Sequence, residues 1–346
     1  MPKARKLLRF EDVTQLTLSP RKLAWPWVWF SPDRRTLGYP VGPRALALRS
    51  IDRLDDERRI DLPAGFETPT KPLPTTGSTS RRPGLQTVAL SDDGVTLVAF
   101  TWHDDGPRAC VVSHDAPPRT IDLAPHLGGM GILSASFSKP GDALWASAES
   151  DTHASLLRLS LSDLAIVGQI PFAPAPLPAQ HELHVHPTRD DALLLMACGQ
   201  DGTFARVARF DTGVVACENA LEGGAEPTGL ADWNDDGERV FLIGFDGIEA
   251  RTWPGLALVS QVDAPDGLIL NCTGLRIGDQ LAVSAADEET EDEPRALLYD
   301  ATTLVRNDDA PAPPGMWAGR FGDDRLVTID RETSGTRRAF IRRLRV

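Results

Sequence analysis

The sequence predicts an all-β fold, a seven-bladed β-propeller of four-stranded blades. Three observations carry that expectation. A strand–turn–strand pattern recurs seven times at a nearly constant interval. The chain ends one strand short of a full last unit and begins with a spare strand. No long stretch shows the 3.6-residue apolar period of a helix.

The recurring unit is an apolar strand ending on a large residue, a polar turn, and a second apolar strand. Its clearest copies are FSPDRRTL from Phe30, LSDDGVTL from Leu90, FSKPGDAL from Phe137 and WNDDGERV from Trp233. In each, the second strand opens seven residues after the anchor, at Leu37, Leu97, Leu144 and Val240. Looser copies run Val185 to Leu193, Leu275 to Leu281 and Phe321 to Leu326. The anchors are spaced by 60, 47, 48, 48, 42 and 46 residues, close to the roughly 40–45 residues of a four-stranded blade. The wide first interval holds the Pro-, Thr- and Ser-rich segment 63–84, which reads as a surface loop.

Third strands end near Asp52, Asp115, Asp211 and Asp300, and fourth strands near Pro63, Pro125, Phe172 and Pro265. Turns between second and third strands, such as Gly199 to Gly202 and Phe245 to Gly247, carry glycine where a positive φ is expected. The last unit has strands near Phe321, near Leu326 and from Ala339 to Val346. The spare strand Thr14 to Leu18 completes it as the outer strand and closes the ring. Residues 1–346 are therefore expected to form one domain, with 1–13 a basic N-terminal extension.

Composition agrees with this reading and excludes several functions. The 346 residues are 41% hydrophobic, enough for a continuous core, and 29 Gly with 28 Pro suit many short strands joined by turns. A formal charge of −13 repels phosphate backbones, so nucleic acid is not an expected partner. Cys110, Cys198, Cys217 and Cys272 form no C-x-x-C pair and read as buried thiols. No apolar h-region follows the basic start and no apolar run reaches 18 residues, so the expected location is cytoplasmic and no membrane is an expected partner.

The FSPD and DDG turns, the period and the closure pattern resemble the WD-repeat propeller superfamily and its bacterial relatives, from about Thr14 to Val346. The sequence departs from that family in lacking a Trp-Asp at the third-strand ends and a Gly-His before the first strands, so the hydrogen-bonded tetrad of the family is not expected here. The resemblance implies protein partners on the face where fourth-to-first and second-to-third connections emerge.

Four features project to that face: the 69–82 loop, the Pro-rich stretch Pro171 to His181, Trp25, and the acidic run Asp287, Glu288, Glu289, Glu291, Asp292 and Glu293. Each also has a purely structural reading. Pro-rich loops are stiff connectors, acidic runs are solvated loops, and Trp27 and Trp29 pack between blades. Trp25 lies further out, as an aromatic interface anchor would. The basic termini, Lys3, Arg5, Lys6 and Arg9 with Arg342, Arg343 and Arg345, form a seam for an acidic partner or a solvated end.

Chemistry is sparse. HELHVH, from His181, is not H-E-x-x-H and lies on a strand, so it reads as packed or channel-edge histidines rather than a metal site. No G-x-S-x-G or P-loop occurs, and the DDG turns lack the carboxylates of a calcium loop. No catalytic residue, metal or cofactor is assigned. The expected function is a non-catalytic protein–protein interaction scaffold, monomeric by default, with Trp25, His181, Asp287, Glu288, Glu289 and Glu291 as binding candidates. The alternative is a propeller lactonase or other small-molecule enzyme with its site at the central channel. His181 to Ala197 resembles one blade of such lactonases, and the warrant is fold analogy.

Overall fold

The computed structural model describes residues 9–18, 28–69, 83–173, 180–190, 192–199, 202–209, 214–215, 227–287, 295–312, 315–330 and 338–345. The chain is a seven-bladed β-propeller built from seven four-stranded antiparallel sheets. Its strands cluster into two compact units, residues 18–216 and residues 1–17 with 217–346.

The N-terminal strand β1 (Arg9–Thr17) belongs to the second of these units. The unit of residues 18–216 holds four sheets. They are β2 (Trp29–Phe30), β3 (Thr36–Gly42), β4 (Ala45–Ser50) and β5 (Arg53–Asp61); β6 (Gly84–Leu90), β7 (Leu97–His103), β8 (Gly106–Val112) and β9 (Arg119–Asp122); β10 (Gly131–Phe137), β11 (Ala143–Glu149), β12 (Ala154–Ser160) and β13 (Ile166–Phe172); and β14 (Gln180–Val185), β15 (Ala192–Gly199), β16 (Gly202–Arg209) and β17 (Val214–Val215). One helical turn, α1 (Ala124–Leu127), joins the second and third sheets.

The other unit holds three sheets. They are β18 (Pro227–Trp233), β19 (Arg239–Gly244), β20 (Gly247–Thr252) and β21 (Leu258–Asp263); β22 (Leu268–Ile277), β23 (Gln280–Asp287), β24 (Arg295–Asp300) and β25 (Arg306–Pro311); and β26 (Met316–Arg320), β27 (Arg325–Asp330) and β28 (Arg338–Arg345), with β1 as outer strand.

The seven-residue offset in the sequence is a register. Phe30 faces Leu37, Leu90 faces Leu97, Phe137 faces Leu144 and Trp233 faces Val240 across the first and second strands. The turn between them is stapled the same way each time. The N–H groups of Ser31, Ser91, Ser138 and Asn234 donate to the carbonyls of Thr36, Thr96, Ala143 and Arg239. In return, the N–H groups of those four accepting residues donate to Ser31 Oγ, Ser91 Oγ, Ser138 Oγ and Asn234 Oδ1 at 2.8–3.1 Å. Asp33, Asp93 and Asp236 each accept the N–H two residues on at 2.9 Å. The fourth position of the turn is left-handed, occupied by Arg34 and by Gly94, Gly141 and Gly237. Small acceptors and glycine recur there because the turn's unpaired donors and its positive φ require them.

The third-to-fourth turns repeat a different device. Leu164, Leu256 and Leu304 adopt φ of 52–57°, a conformation costing a leucine about 1–2 kcal/mol. Each N–H closes back on the carbonyl four residues earlier, at Ser160, Thr252 and Asp300. All three side chains are buried, which contributes about 1.5–3 kcal/mol each and outweighs the strain. Leu164 joins a core cluster with Phe100, Phe137, Leu144 and Leu157, and Leu304 joins one with Phe241, Ile243, Leu281 and Tyr299.

First strands are bulged against second strands in five sheets, between Leu85 and Thr87, Ile132 and Ser134, Pro227 and Gly229, Leu270 and Gly274, and Trp317 and Gly319. A bulge bends the strand and re-aims a side chain.

The closing strand is longer than Thr14 to Leu18. It starts at Arg9, inside the expected basic extension, because its charges match those of β28: Glu11 lies opposite Arg343, and Asp12 opposite Arg342. Arg342, almost fully enclosed, donates from Nε to Asp12 Oδ1 at 2.7 Å and from Nη1 to Thr328. Arg345 pairs with Glu11 at 2.8 Å and Arg343 with Asp324 at 3.4 Å. Of the basic seam, the C-terminal arginines are thus matched by acids, while Lys3, Arg5 and Lys6 lie outside the described residues.

Candidate functional site

In an antiparallel meander, first-to-second and third-to-fourth turns share one end of the strands, and second-to-third and fourth-to-first connections share the other. The first end carries the short stapled turns described above. The second carries the long connections, including segments 62–83, 123–130, 173–179, 216–226, 288–294 and 331–337.

In the 18–216 unit, the front of the 63–84 loop is built in rather than loose. Leu62 N–H donates to Arg44 O and Thr68 N–H to Pro43 O, both at 2.7 Å, and Leu85 N–H donates to Glu67 O at 2.9 Å. Phe66 is buried, packed edge-on to His103 with centroids 6.4 Å apart. Gly65 lies directly on that imidazole: a Cβ there would sit 2.0 Å from His103 Cε1. Thr101 Oγ1 donates to Gly65 O at 2.7 Å. The segment therefore crosses the second-to-third turns of the first two sheets at a fixed height. Residues 70–82 lie outside the described part.

Below the Ser150–His153 turn, His181 sits between β14 and β11. Its Nδ1 is 3.1 Å from Ser147 Oγ, and its Nε2 is 3.3 Å from Glu149 Oε2. The imidazole is 0% exposed and the Glu149 side chain 4%. His181 is therefore a buried tie between two sheets. His184 Nε2 lies 3.1 Å from Glu182 Oε2 on the same strand. His186 stands where serine stands in other sheets, but its Nδ1 accepts the N–H groups two and three residues on, of Thr188 and Arg189, at 3.2 and 3.1 Å, where serine accepts the one five residues on. Two backbone donors fix Nδ1 as the acceptor nitrogen. HELHVH is thus three histidines held by different neighbours, and among the described residues no His, Cys, Asp and Glu cluster is arranged to hold a metal. Cys110 is buried and its thiol pKa is pushed up to about 11 by desolvation, as expected for an inert core thiol.

In the other unit, Asp287 closes β23 opposite Leu268. Trp25, Glu288, Glu289 and Glu291 fall outside the described residues. Phe245, which the sequence reading passed over in favour of its glycine neighbour, is 52% exposed at the tip of the β19–β20 turn. Gly247 is needed there for a different reason than expected. Its φ is not positive; a Cβ would come within 2.5 Å of Val262 O.

Near the opposite strand end, Asp232 accepts from Arg320 Nη1 at 2.8 Å and from the Arg276 N–H at 3.0 Å, while Arg276 also pairs with Asp235. One carboxylate thus ties the first strands of three sheets, β18, β22 and β26.

No family model and no curated protein matches the chain. Among solved structures, it is similar to the β-propeller domain of Cps50 (Swd1) from Myceliophteria thermophila, with a TM-score of 0.59 and 12% identity over 94% of this chain and 99% of that one. It is also similar to a chain in a structure of a mitotic checkpoint complex, with a TM-score of 0.64 and 12% identity over 96% of this chain and 95% of that one. What the chain shares with them is the β-propeller fold. At this identity the likeness concerns the fold alone. No described helix is long and apolar enough to cross a membrane.

Proposed function

We propose that the chain is a non-catalytic interaction platform that holds a protein partner on the strand ends carrying the long connections. One observation supports this most strongly. The two strand ends are built differently: one carries the short stapled turns of the described residues, and the other carries the long connections and the exposed Phe245. Elaboration of loops on a rigid scaffold is how a closed fold acquires binding surfaces. The fold likeness to a chain of a multiprotein complex agrees with the reading.

In this reading Trp25 is an aromatic anchor, and Asp287, Glu288, Glu289 and Glu291 form an acidic rim. His181 contributes by holding the Ser150–His153 turn from below. The protein works as a monomer in the cytoplasm, and its charge of −13 turns nucleic acid away. Affinity capture from native lysate tests the proposal. A partner retained by the intact chain and lost from a folded variant with Trp25→Ala and a shortened 70–82 loop is expected. Partners unaffected by that variant, and lost instead with substitutions in the stapled turns, would overturn it.

A further inference from the structure

The β19–β20 turn carries an anomaly. Its tip is Phe245–Asp246, whereas the matching tips of other sheets are Pro43–Arg44, Asp104–Asp105 and Asp151–Thr152. Phe245 has an ordinary negative φ, so the backbone does not demand it, and half its surface is in water. The turn is also rigidly held. Phe245 O accepts the Leu270 N–H at 3.0 Å, and Asp246 O accepts the Ala264 N–H at 2.7 Å. The adjoining Pro265–Leu268 turn is closed by its own hydrogen bond at 3.0 Å.

The strands and turns joined by those bonds carry four carboxylates. Asp246 is the chain neighbour of Phe245, Asp263 pairs with Gly247, Asp266 lies in the adjoining turn, and Asp287 faces Leu268. Among the described residues no lysine or arginine pairs with Asp246, Asp263 or Asp266. Arg295, opposite Ala285, is a cation on the same strand end.

We propose that this patch is the docking point for an arginine-bearing segment of a protein partner. The guanidinium covers the face of Phe245, where a cation is attracted by the ring, and its charge meets those carboxylates. An arginine suits both parts because it stacks and also forks onto carboxylates, which a lysine does not. The carboxylates exclude an acidic segment. A preorganised turn lowers the ordering cost of binding. This rests on the interaction-platform reading and names the chemistry of its partner.

The test uses short random peptides, unbiased in charge, selected by display on the full-length protein and then synthesised. Arginine-containing peptides are expected. Phe245→Ala should weaken them about tenfold, and Asp246→Asn with Asp266→Asn should weaken them and flatten the salt dependence. Arg→Lys in the peptide should also weaken binding. Val305→Ala, exposed at the opposite strand end of the same unit, should change nothing. Thermal melts of each variant guard against misfolding. Peptides lacking arginine, binding indifferent to Phe245→Ala, or no selected peptide would overturn the proposal. Peptides lost with Trp25→Ala but not with Phe245→Ala would overturn it while leaving the platform reading intact.

Discussion

Asp92 illustrates how far one residue's setting moves its chemistry. Its carboxylate accepts the Asp33 N–H at 2.9 Å, and burial, with the charge of Asp33 adding, pushes its pKa up to about 6 against the help of that hydrogen bond. A carboxyl raised above its unfolded value favours the fold while protonated, and that contribution is lost as pH rises through about 6. Asp92→Asn keeps the acceptor and removes the charge. It should raise the stability at neutral pH by about 1 kcal/mol once solvent screening is counted, and the melting temperature with it. The gain should fade through about pH 6 and vanish near the unfolded value. A pH series of thermal melts checks this; a gain independent of pH would contradict it. At the same scale, the histidines show where sequence reading stops. Their strand and their packed character were legible from spacing. Which partners His181 would meet was not, because Ser147 and Glu149 lie on another sheet.

At the scale of elements, the stapled turn was legible because its parts are local. A serine or asparagine acceptor, an aspartate two residues on and a glycine third fall within six residues. In the fourth sheet the copy Val185 to Leu193 is looser because His186 replaces the serine, and the leucines at positive φ were invisible because nothing in Leu-x-x announces a left-handed backbone. The bulged first strands were hidden likewise, since an extra residue looks the same in the sequence whichever way it points. The turns separate strain from crowding. Gly141 is left-handed with nothing within 4 Å of an added Cβ, whereas at Gly94 Thr36 Oγ1 would be 3.3 Å away. Gly141→Ala should cost about 1 kcal/mol, the backbone cost alone. Gly94→Ala should cost more, because Thr36 must shift. Urea midpoints at constant slope measure both; equal losses would refute the crowding argument. Phe245 was overlooked for a related reason: the turn signal is its glycine, and an exposed aromatic beside it resembles an ordinary strand residue.

At the scale of the molecule, the repeat and the spare N-terminal strand were legible because a closed fold leaves no sheet unfinished. The structure adds how closure is held, through Leu16 and Leu18 in the core and Asp12 on the enclosed Arg342. Leu16→Ala should cost about 2–5 kcal/mol. Deleting residues 1–18 should lower the urea midpoint further and blur cooperativity, since β28 becomes an open edge over a buried arginine. A deletion that unfolds like the intact chain would contradict this closure. What the sequence could not convey is how the connections of the elaborated end are held, since that depends on hydrogen bonds between segments far apart in the chain, such as Thr68 to Pro43.

The central claim is that the end with the long connections is the working surface. Hydrogen exchange of the protein with and without its captured partner tests this directly. The account predicts slowed exchange at Phe245–Gly247, Ala264–Leu268 and the other connections of that end, with the stapled turns at Ser31, Ser91, Ser138 and Asn234 unchanged. Protection confined to those turns or to the outer strands would contradict it.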